Sequence, residues 1–250
     1  MTDIQVCPNR QDLFEKSAAE FVRLARAAAS ADGRFTVALS GGSTPKGAYE
    51  ILARSDLQRR IPWPRVHLFW GDERCVPPYH PDSNYRMTEE SLISRIPIPL
   101  ENVHRIATER KPNEAAAAYE RTLREVFNLS ENELPRFDLI LLGMGPDAHT
   151  ASLFPGTAGL NEKKRLVIAH KVEKLEAWRI TLTPAVLNQA ARTVFLVSGT
   201  DKAKAAREVL EGIYEPERLP AQLIRPAKGS LLWLLDQEAA SLLHIRKKKN

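Results

Sequence analysis

The sequence predicts an α/β fold with a doubly wound, mainly parallel sheet and helices on both faces. Short apolar runs of strand length alternate with amphipathic segments of helical periodicity along the chain. Several of these runs are apolar at every position, which is typical of strands covered on both faces. Glycine-containing turns directly follow three of them. Alternating strands and helices of this kind indicate the doubly wound class.

The composition indicates a globular protein. The chain has 250 residues, of which 43% are hydrophobic and 27% charged. We therefore expect one domain over residues 1–245. The apolar runs are far shorter than the roughly 20 residues of a membrane-spanning helix. The segment MTDIQVCPNRQD lacks the pattern of a secretion signal, so we expect a cytoplasmic location. Cys7 and Cys75 lie too far apart for a zinc site and are too few for a disulfide scaffold.

The positive charge is concentrated in one short segment. The formal net charge is +5, and the basic run of residues 246–249 supplies four of these charges. Since the rest of the chain is nearly neutral, we expect residues 246–250 to form a solvated basic tail. We expect no nucleic-acid or membrane partner, and a monomer or a weak homo-oligomer.

The first secondary-structure elements are predicted from the periodicity of apolar residues and from the turn and capping residues between them. Apolar residues at steps of four and three predict a helix over about residues 9–30. The run FTVAL predicts a strand over residues 35–39, followed by the turn SGGSTP and a helix to about residue 53. Thr44 is predicted as the N-cap of that helix and Pro45 as its first residue.

The remaining elements are predicted in the same way. Strands are predicted at residues 66–70, 137–142, 166–169, 178–182, 193–197 and 231–235. Helices are predicted at residues 114–127, 184–191, 201–211 and 236–243. A small elaboration of the domain is expected around residues 160–182. Because ligands of open α/β sheets bind beyond the carboxyl ends of the strands, the turns after the strands are the candidate functional segments.

The first of these turns is Ser40-Gly41-Gly42-Ser43. Two glycines before a helix let the backbone approach a ligand, and the free N–H groups with the helix dipole form an anion site. The segment is not a Walker loop, because Ala48 follows Gly47 where that motif requires lysine. A tight turn without a ligand remains an equal alternative.

The second turn is Gly71-Asp72-Glu73-Arg74. Two carboxylates beside a guanidinium can orient a polyol and bind a phosphate group in bidentate fashion. The alternative is an ion pair on the surface. Three prolines stiffen the loop that follows, which ends at Asn84 and is expected to form a wall of a pocket.

The third turn begins at Gly143 and contains Asp147 and His149. It matches the dinucleotide fingerprint, but Pro146 interrupts the phosphate turn and Pro155-Gly156 would end the next helix early, so we reject a nicotinamide site. At a strand end, Asp147 is well placed to orient the His149 imidazole. A loop histidine without a catalytic role is the alternative.

The sequence contains no motif for a metal site or for a serine hydrolase. The histidines lack the short paired spacing of a metal site, and no G-x-S-x-G sequence surrounds Ser152. We therefore expect no metal and no cofactor. Water activated by a histidine is the simplest chemistry that these residues allow.

Five ordered blocks carry a resemblance to a known family. SGGSTP, GDERCVPPYHPDSNY, GMGPDAHTASLFPG, WRITLT and VSGTDKAKA closely resemble the 6-phosphogluconolactonase family, within the group that includes glucosamine-6-phosphate deaminase. The segment TASLFPG looks like the lactonase branch. The resemblance implies cofactor-free hydrolysis of 6-phosphoglucono-δ-lactone to 6-phosphogluconate in the oxidative pentose phosphate pathway.

The resemblance also implies roles for individual residues. His149 matches the general base and Asp147 its neighbour in the motif. Arg179 matches an arginine that faces the substrate, and Asp72 matches the base of the deaminase branch. The positions that match the phosphate contacts are the turn Ser40, Gly41, Gly42 and Ser43, together with Arg74 and Lys202.

One position departs from the family pattern. Ala148 stands where the family usually has glycine. We expect a negative φ at Ala148, with left-handed conformations confined to Gly143 or Gly145. Two other functions remain open: deamination of an amino-sugar phosphate through Asp72, and non-catalytic binding of a sugar phosphate. The second is disfavoured because residues 1–34 offer no helix-turn-helix.

Overall fold

Two sheets organise the computed structural model, which describes residues 2–31 and 33–244. Its strands are β1 (Thr2–Cys7), β2 (Phe35–Leu39), β3 (Val66–Trp70), β4 (Asp72–Arg74), β5 (Val103–His104), β6 (Leu139–Gly143), β7 (Val167–Val172), β8 (Ala177–Leu182), β9 (Arg192–Val197) and β10 (Ser230–Asp236). Its α-helices are α1 (Arg10–Ala31), α2 (Ser43–Leu52), α3 (Ser55–Gln58), α4 (Asn84–Ser91), α5 (Pro112–Phe127), α6 (Pro184–Leu187) and α7 (Ala203–Glu211). The predicted basic tail, residues 246–250, lies outside the described residues, and the domain boundary at residue 245 stays a prediction.

The large sheet confirms the predicted fold class. Its seven strands are all parallel to their neighbours, in the order β1-β10-β9-β6-β2-β3-β5. All five residues of β2 are buried, and so are the last five of β9. Since side chains alternate between the two faces of a strand, consecutive buried residues show that both faces are covered.

The strand order reverses direction in the middle of this sheet. From β2 the chain continues outward to β3 and β5, and it then returns to place β6 on the other side of β2. The carboxyl ends of β2 and β6 therefore form the topological switch point, where α/β proteins bind ligands.

Two strands of the small sheet, β7 and β8, fall within residues 160–182, where an elaboration of the domain was expected. The sheet is antiparallel, in the order β4-β8-β7, and α5 packs against β7 and β8. From α5, Glu120 accepts a hydrogen bond from the backbone N–H of Leu166 at 2.9 Å, which fixes the start of β7. Strand β4 was predicted as a turn. It forms because its polar residues pair with β8 rather than with the large sheet.

Three other local predictions are wrong. Residues 236–243 are not helical, because Asp236 ends β10 and its Oδ1 accepts the backbone N–H of Ala239 at 2.8 Å in a turn. Helix α2 begins at Ser43 with Gly42, not Thr44, in the N-cap position. The helix predicted over residues 184–191 stops at Leu187, because the chain must turn to enter β9.

The helices differ in length and in apolar content. In residues 2–31 and 33–244, none is long and apolar enough to cross a membrane.

Candidate active site

A cleft lies at the carboxyl edge of the large sheet, beside the small sheet. It consists of two adjoining cavities of about 240 and 440 Å³. Both are lined by Asp72, Arg74, Pro146, His149 and Ala151. The turns that follow β2, β3, β6 and β9 all contribute side chains, as expected for a site at the strand ends.

Every site residue predicted from the sequence lines this cleft. Asp72, Arg74 and His149 border both cavities. The smaller cavity adds Ser40, Gly41, Gly42, Ser43 and Lys202, and the larger adds Asp147 and Arg179. A third cavity of about 560 Å³ lies between α1, α2 and α3 and contains none of these residues. We take the cleft as the functional site, because the convergent polar groups lie there.

Asp147 and His149 form a hydrogen-bonded pair in this cleft. Asp147 Oδ1 contacts His149 Nδ1, and the imidazole stacks on the Phe154 ring with centroids 4.2 Å apart. Burial by itself raises the pKa of the Asp147 carboxyl, but hydrogen bonds from His149 and Lys174 outweigh it and hold that pKa well below its usual range. With Nδ1 bound to a carboxylate, Nε2 is the nitrogen left for a ligand.

A tight turn brings the two side chains together. The backbone N–H of Gly145 donates to the carbonyl of His149 at 2.9 Å, and that of Ala148 donates to the carbonyl of Gly145 at 3.0 Å. A Cβ at Gly145 would lie only 2.1 Å from His149 Nδ1. Glycine is therefore required here so that the imidazole can pack against the backbone.

The expected conformation of Ala148 is wrong. Its φ is +61°, in the left-handed region, whereas Gly143 and Gly145 are not among the described glycines with positive φ. The Ala148 carbonyl accepts the backbone N–H of Ala221 at 3.0 Å, which holds the reversed peptide in place. Ala148, between Asp147 and His149, thus has the left-handed backbone conformation of this turn. That conformation is energetically unfavourable for any residue with a Cβ.

The turn after β2 forms a rigid cradle at the start of α2. Gly42 has φ +100°, which explains why glycine stands at that N-cap. The buried Tyr49 hydroxyl donates to the Ser40 carbonyl and accepts the Ser40 N–H, both at 2.9 Å. Burial raises the pKa of Tyr49, so the phenol stays protonated. The start of α2 lines the smaller cavity through Gly42, Ser43, Thr44 and Pro45, the position of a helix N-terminal anion site.

Two arginines face each other in the small sheet. Arg74 and Arg179 are register partners in the antiparallel pair of β4 and β8. Each donates to a backbone carbonyl, Arg74 to Asp82 at 2.6 Å and Arg179 to Trp178 at 3.1 Å. Burial and the charge of Arg74 lower the pKa of the Arg179 guanidinium. Neither arginine forms an ion pair within the described part of the chain, which suits both to binding an anion.

The two carboxylates of the second turn have different environments. Asp72 is buried and accepts a hydrogen bond from Ser152 Oγ at 2.7 Å. Glu73 is also buried, and its oxygens accept the backbone N–H groups of Arg74, Asn84 and Tyr85 at 2.7–2.8 Å. Burial raises the pKa of Glu73 to about 6, although these donors lower it. Neither carboxylate is ion-paired with Arg74, so the alternative of a surface ion pair is wrong.

Lys202 completes the cationic side of the smaller cavity. It follows β9 and lies at the end of a 3-10 turn spanning Thr200–Lys202. Its Nζ is 2.6 Å from Asp201 Oδ2, and its side chain is 22% exposed. The lysine therefore keeps most of its length covered while its ammonium borders the cavity.

Several residues of the site were not assigned from the sequence. Lys174 contacts Asp147 Oδ2, and its ammonium lies 4.9 Å from the centroid of the Phe154 ring. It stands in the charged segment HKVEKLEAW, where no pattern distinguishes it. Asn84 donates from Nδ2 to the Asp72 carbonyl at 2.9 Å. Asn84 ends the proline-rich loop that was expected to form a wall, which was its only signal.

Among the residues that the structure describes, no group of three or more His, Cys, Asp or Glu side chains is arranged to hold a metal ion. The polar groups of the cleft instead combine one hydrogen-bonded imidazole with four cationic side chains. Such a set suits a substrate that carries both a phosphate group and a centre that reacts with water.

Several known proteins are similar to this chain in sequence and in fold. A family model described as glucosamine-6-phosphate isomerases/6-phosphogluconolactonase matches residues 8–233. The chain is 40% identical over 243 residues to a 6-phosphogluconolactonase of Nostoc sp., covering 97% of this chain and 98% of the relative. It is 41% identical over 241 residues to the 6-phosphogluconolactonase of Synechocystis sp., covering 96% and 98%.

Solved structures are similar over the same extent. The 6-phosphogluconolactonase of Trypanosoma brucei superposes with a TM-score of 0.86 at 30% identity, covering 97% of this chain and 99% of that one. A monomeric glucosamine-6-phosphate deaminase superposes with a TM-score of 0.80 at 20% identity, covering 96% and 99%. The second similarity is one of fold alone.

Proposed function

Because this chain belongs to the family of glucosamine-6-phosphate isomerases and 6-phosphogluconolactonases, we propose that it hydrolyses 6-phosphoglucono-δ-lactone to 6-phosphogluconate. It is a hydrolase of a lactone ester, and this reaction belongs to the oxidative pentose phosphate pathway. The observation that carries the mechanism is the contact between Asp147 and His149, in a cleft that also contains unpaired arginines.

The phosphate group is bound on the cationic side of the cleft. Arg74 and Lys202 both line the smaller cavity, together with the turn from Ser40 to Pro45 at the start of α2. Side-chain cations and helix N–H groups bind a phosphate dianion by complementary charge and hydrogen bonding. Anchoring the phosphate fixes the lactone so that its carbonyl lies next to His149.

His149 activates the attacking water. Asp147 Oδ1 accepts a hydrogen bond from the protonated Nδ1, so Nε2 carries the lone pair that takes a proton from water. The hydroxide oxygen then forms a bond to the lactone carbonyl carbon, and the carbonyl π electrons move to its oxygen. The low pKa of Asp147 keeps its carboxylate ionised, which stabilises the imidazolium formed in this step.

The remaining steps open the ring. The oxyanion is stabilised by Arg179 or by backbone N–H groups of a glycine turn, both of which border the cleft. When the carbonyl re-forms, the bond to the ring oxygen breaks and the His149 imidazolium returns its proton to that oxygen. The buried Asp72 carboxylate, held by Ser152, orients hydroxyl groups of the sugar.

Proton release from freshly prepared 6-phosphogluconolactone tests this function. Since the lactone also opens spontaneously, an enzyme-free blank is measured in parallel. We expect release well above the blank, and His149→Ala is expected to lower kcat by about 10²–10⁴-fold with the fold intact. A folded His149→Ala variant with near-normal kcat would remove His149 from the mechanism.

A second candidate activity depends on Asp72, which borders both cavities beside His149. In that reaction Asp72 would move a carbon-bound proton of glucosamine 6-phosphate and ammonia would be released. Release of ammonia without lactone hydrolysis would favour it. Binding of both sugar phosphates without turnover would instead favour a non-catalytic binding protein.

The location, the cofactor and metal requirement and the oligomeric state of the protein also stay predictions. We expect a cytoplasmic enzyme that needs neither cofactor nor metal and is a monomer or a weak homo-oligomer. Light scattering across a concentration series, and activity in the presence of a chelator, measure two of these expectations.

A further inference from the structure

The hairpin that joins β7 and β8 places a lysine against the catalytic pair. Its turn is the 3-10 segment Glu173–Leu175, and Leu175 at its end lines the larger cavity. From this turn, Lys174 reaches Asp147 and forms an ion pair with Oδ2. The contact joins residues 27 positions apart in sequence, one in the turn after β6 of the large sheet and one in the turn between β7 and β8 of the small sheet.

The Asp147 carboxylate is thereby shared between two partners. Oδ1 contacts His149 Nδ1, and Oδ2 contacts the Lys174 ammonium. The two oxygens belong to one planar group, so a bond at each of them determines the rotation of that group. Lys174 thus determines the direction from which Asp147 approaches the imidazole.

Phe154 adds a second connection between the same side chains. Its ring stacks on His149 at 4.2 Å and lies 4.9 Å from the Lys174 ammonium. Phe154 is itself buried, which limits its own movement. Lys174 therefore acts on the imidazole both through the carboxylate and through the ring.

Several charged groups surround the pair, and Lys174 is the cation in contact with it. From β4 and β8, the larger cavity receives Asp72, Arg74 and Arg179. On the other side, the cavity next to Asp147 is lined by Lys204, Glu208 and Arg218. In the described residues, His149 and Lys174 are the partners that bond to the Asp147 side chain.

We propose that Lys174 is a positioning residue for the lactonase reaction, which orients the Asp147 carboxylate against His149 and offsets part of its negative charge. The inference rests on the proposed role of His149 as general base. A carboxylate without a counter-charge would favour the imidazolium, which cannot accept a proton from water. Lys174 limits that effect while it keeps Asp147 ionised.

The pH dependence of kcat/KM tests this role. Lys174→Met and Lys174→Gln remove the charge, and Lys174→Arg retains it. Lys171→Met is the matched control, because Lys171 lies on the same hairpin, is similarly exposed and pairs with Glu173 instead. Lys174 and the imidazole contact the same carboxylate, so removing this positive charge is expected to move the acid-side midpoint upward by about 0.5–1 pH unit.

The expected pattern separates this role from a merely structural one. Both charge-removing variants should show the upward shift with a kcat about 3–10-fold lower, as expected for a misplaced base. Lys174→Arg and Lys171→Met should keep the midpoint of the unchanged protein. A shift of the same size should appear in the pH titration of the His149 imidazole followed by NMR, which needs no substrate. That titration tests Lys174 even if the protein fails to hydrolyse the lactone.

Two results would overturn the proposal. The first is an unchanged midpoint, in activity and in the NMR titration, for both folded charge-removing variants. The second is a KM raised more than tenfold with an unchanged midpoint, because Lys174 would then bind the substrate directly. Thermal unfolding of each variant verifies that it is folded.

Discussion

Arg74 and Arg179 stand directly opposite each other across the antiparallel strands β4 and β8. Like charges in that position repel, and side chains directly opposite in a sheet are close enough to interact. Burial, and after it the charge of Arg74, lowers the pKa of the Arg179 guanidinium, so this repulsion is one contribution to the shift. An anion bound between the two guanidinium groups would offset it, so this pair favours the bound state of the protein.

Replacing Arg74 should weaken binding of the phosphorylated substrate. We expect Arg74→Met to cost about 2–5 kcal/mol in apparent binding, a rise in KM of about 30-fold or more, as for loss of one partner of a buried charge pair. Steady-state kinetics on the phosphorylated lactone measure this. Unphosphorylated gluconolactone is the control, and an equal loss on both lactones would assign Arg74 to the reacting carbonyl.

Adding one methyl group at Gly145 should displace the catalytic imidazole. In Gly145→Ala, the new Cβ would overlap His149 Nδ1, so we expect kcat to fall by about 10²-fold or more. Gly71→Ala is the matched control, because a Cβ there meets only the Leu39 carbonyl at 3.5 Å. Circular dichroism should show both variants folded. Normal kcat in Gly145→Ala would mean that the turn can open without loss of function.

Replacing Ala148 by glycine should stabilise the protein. A left-handed conformation costs an alanine about 1–2 kcal/mol, and the greater freedom of glycine in the unfolded chain offsets about 0.4–1 of this. We therefore expect Ala148→Gly to gain about 0.5–1 kcal/mol in urea unfolding, with kcat changed less than about threefold.

A control for Ala148→Gly uses an alanine in the right-handed region. Ala53 has φ −77°, and Ala53→Gly should lose about 0.5–1 kcal/mol of stability. If Ala148→Gly were destabilising by a similar amount, the left-handed turn would carry no strain.

A half-buried histidine pair should make stability fall in acid. His67 Nδ1 lies 3.1 Å from His104 Nε2, and the rings stack. Burial, then Arg34, lower the pKa of His67, and burial, then His67, lower that of His104 from 6.5 to about 4. The unfolded chain therefore binds more protons between pH 6.5 and 4, so stability is complete above pH 6.5 and falls as the pH drops towards 4.

Urea unfolding at pH 7 and pH 5 measures this loss. After allowance for the partial exposure of the pair, we expect it to be about 1–2 kcal/mol. His104→Leu should remove most of the difference, and His80→Gln, an exposed histidine with a 43% exposed side chain, should leave it unchanged. An equal pH dependence in all three proteins would contradict the prediction.

The centre of the fold could be predicted from the sequence, and its edges could not. The predicted bounds of β2 and β3 are those of the structure, because continuous apolar residues are needed where both faces are covered. Strand β1 lies at the edge, and its sequence TDIQVC, half of it exposed, has no continuous apolar run. Helix α4 begins where Ser83 Oγ accepts the N–H of Arg86 at 3.2 Å, a cap that its proline-rich surroundings concealed.

The candidate site could also be predicted from the sequence only in part. Its turns could be located because glycines and charged residues after buried strands have few other reasons to occur together. Lys174 could not be found, because its place in the site depends on a tertiary contact with Asp147, 27 residues away in sequence. The error at Ala148 came from assigning the left-handed position to a glycine, although the peptide is held by a bond to Ala221.

The pairing of β1 with β10 has a consequence for synthesis on the ribosome. Thr2 stands beside Leu231 in the register, so this edge of the sheet joins segments that are separated by most of the other strands during translation. The β1 segment must wait unpaired until β10 has emerged, since parallel pairing cannot form before its neighbour exists. Strands β2 and β3, in contrast, are synthesised in succession and can pair long before that. Pairing beside the cleft is therefore available to the nascent chain earlier than pairing at the β1 edge.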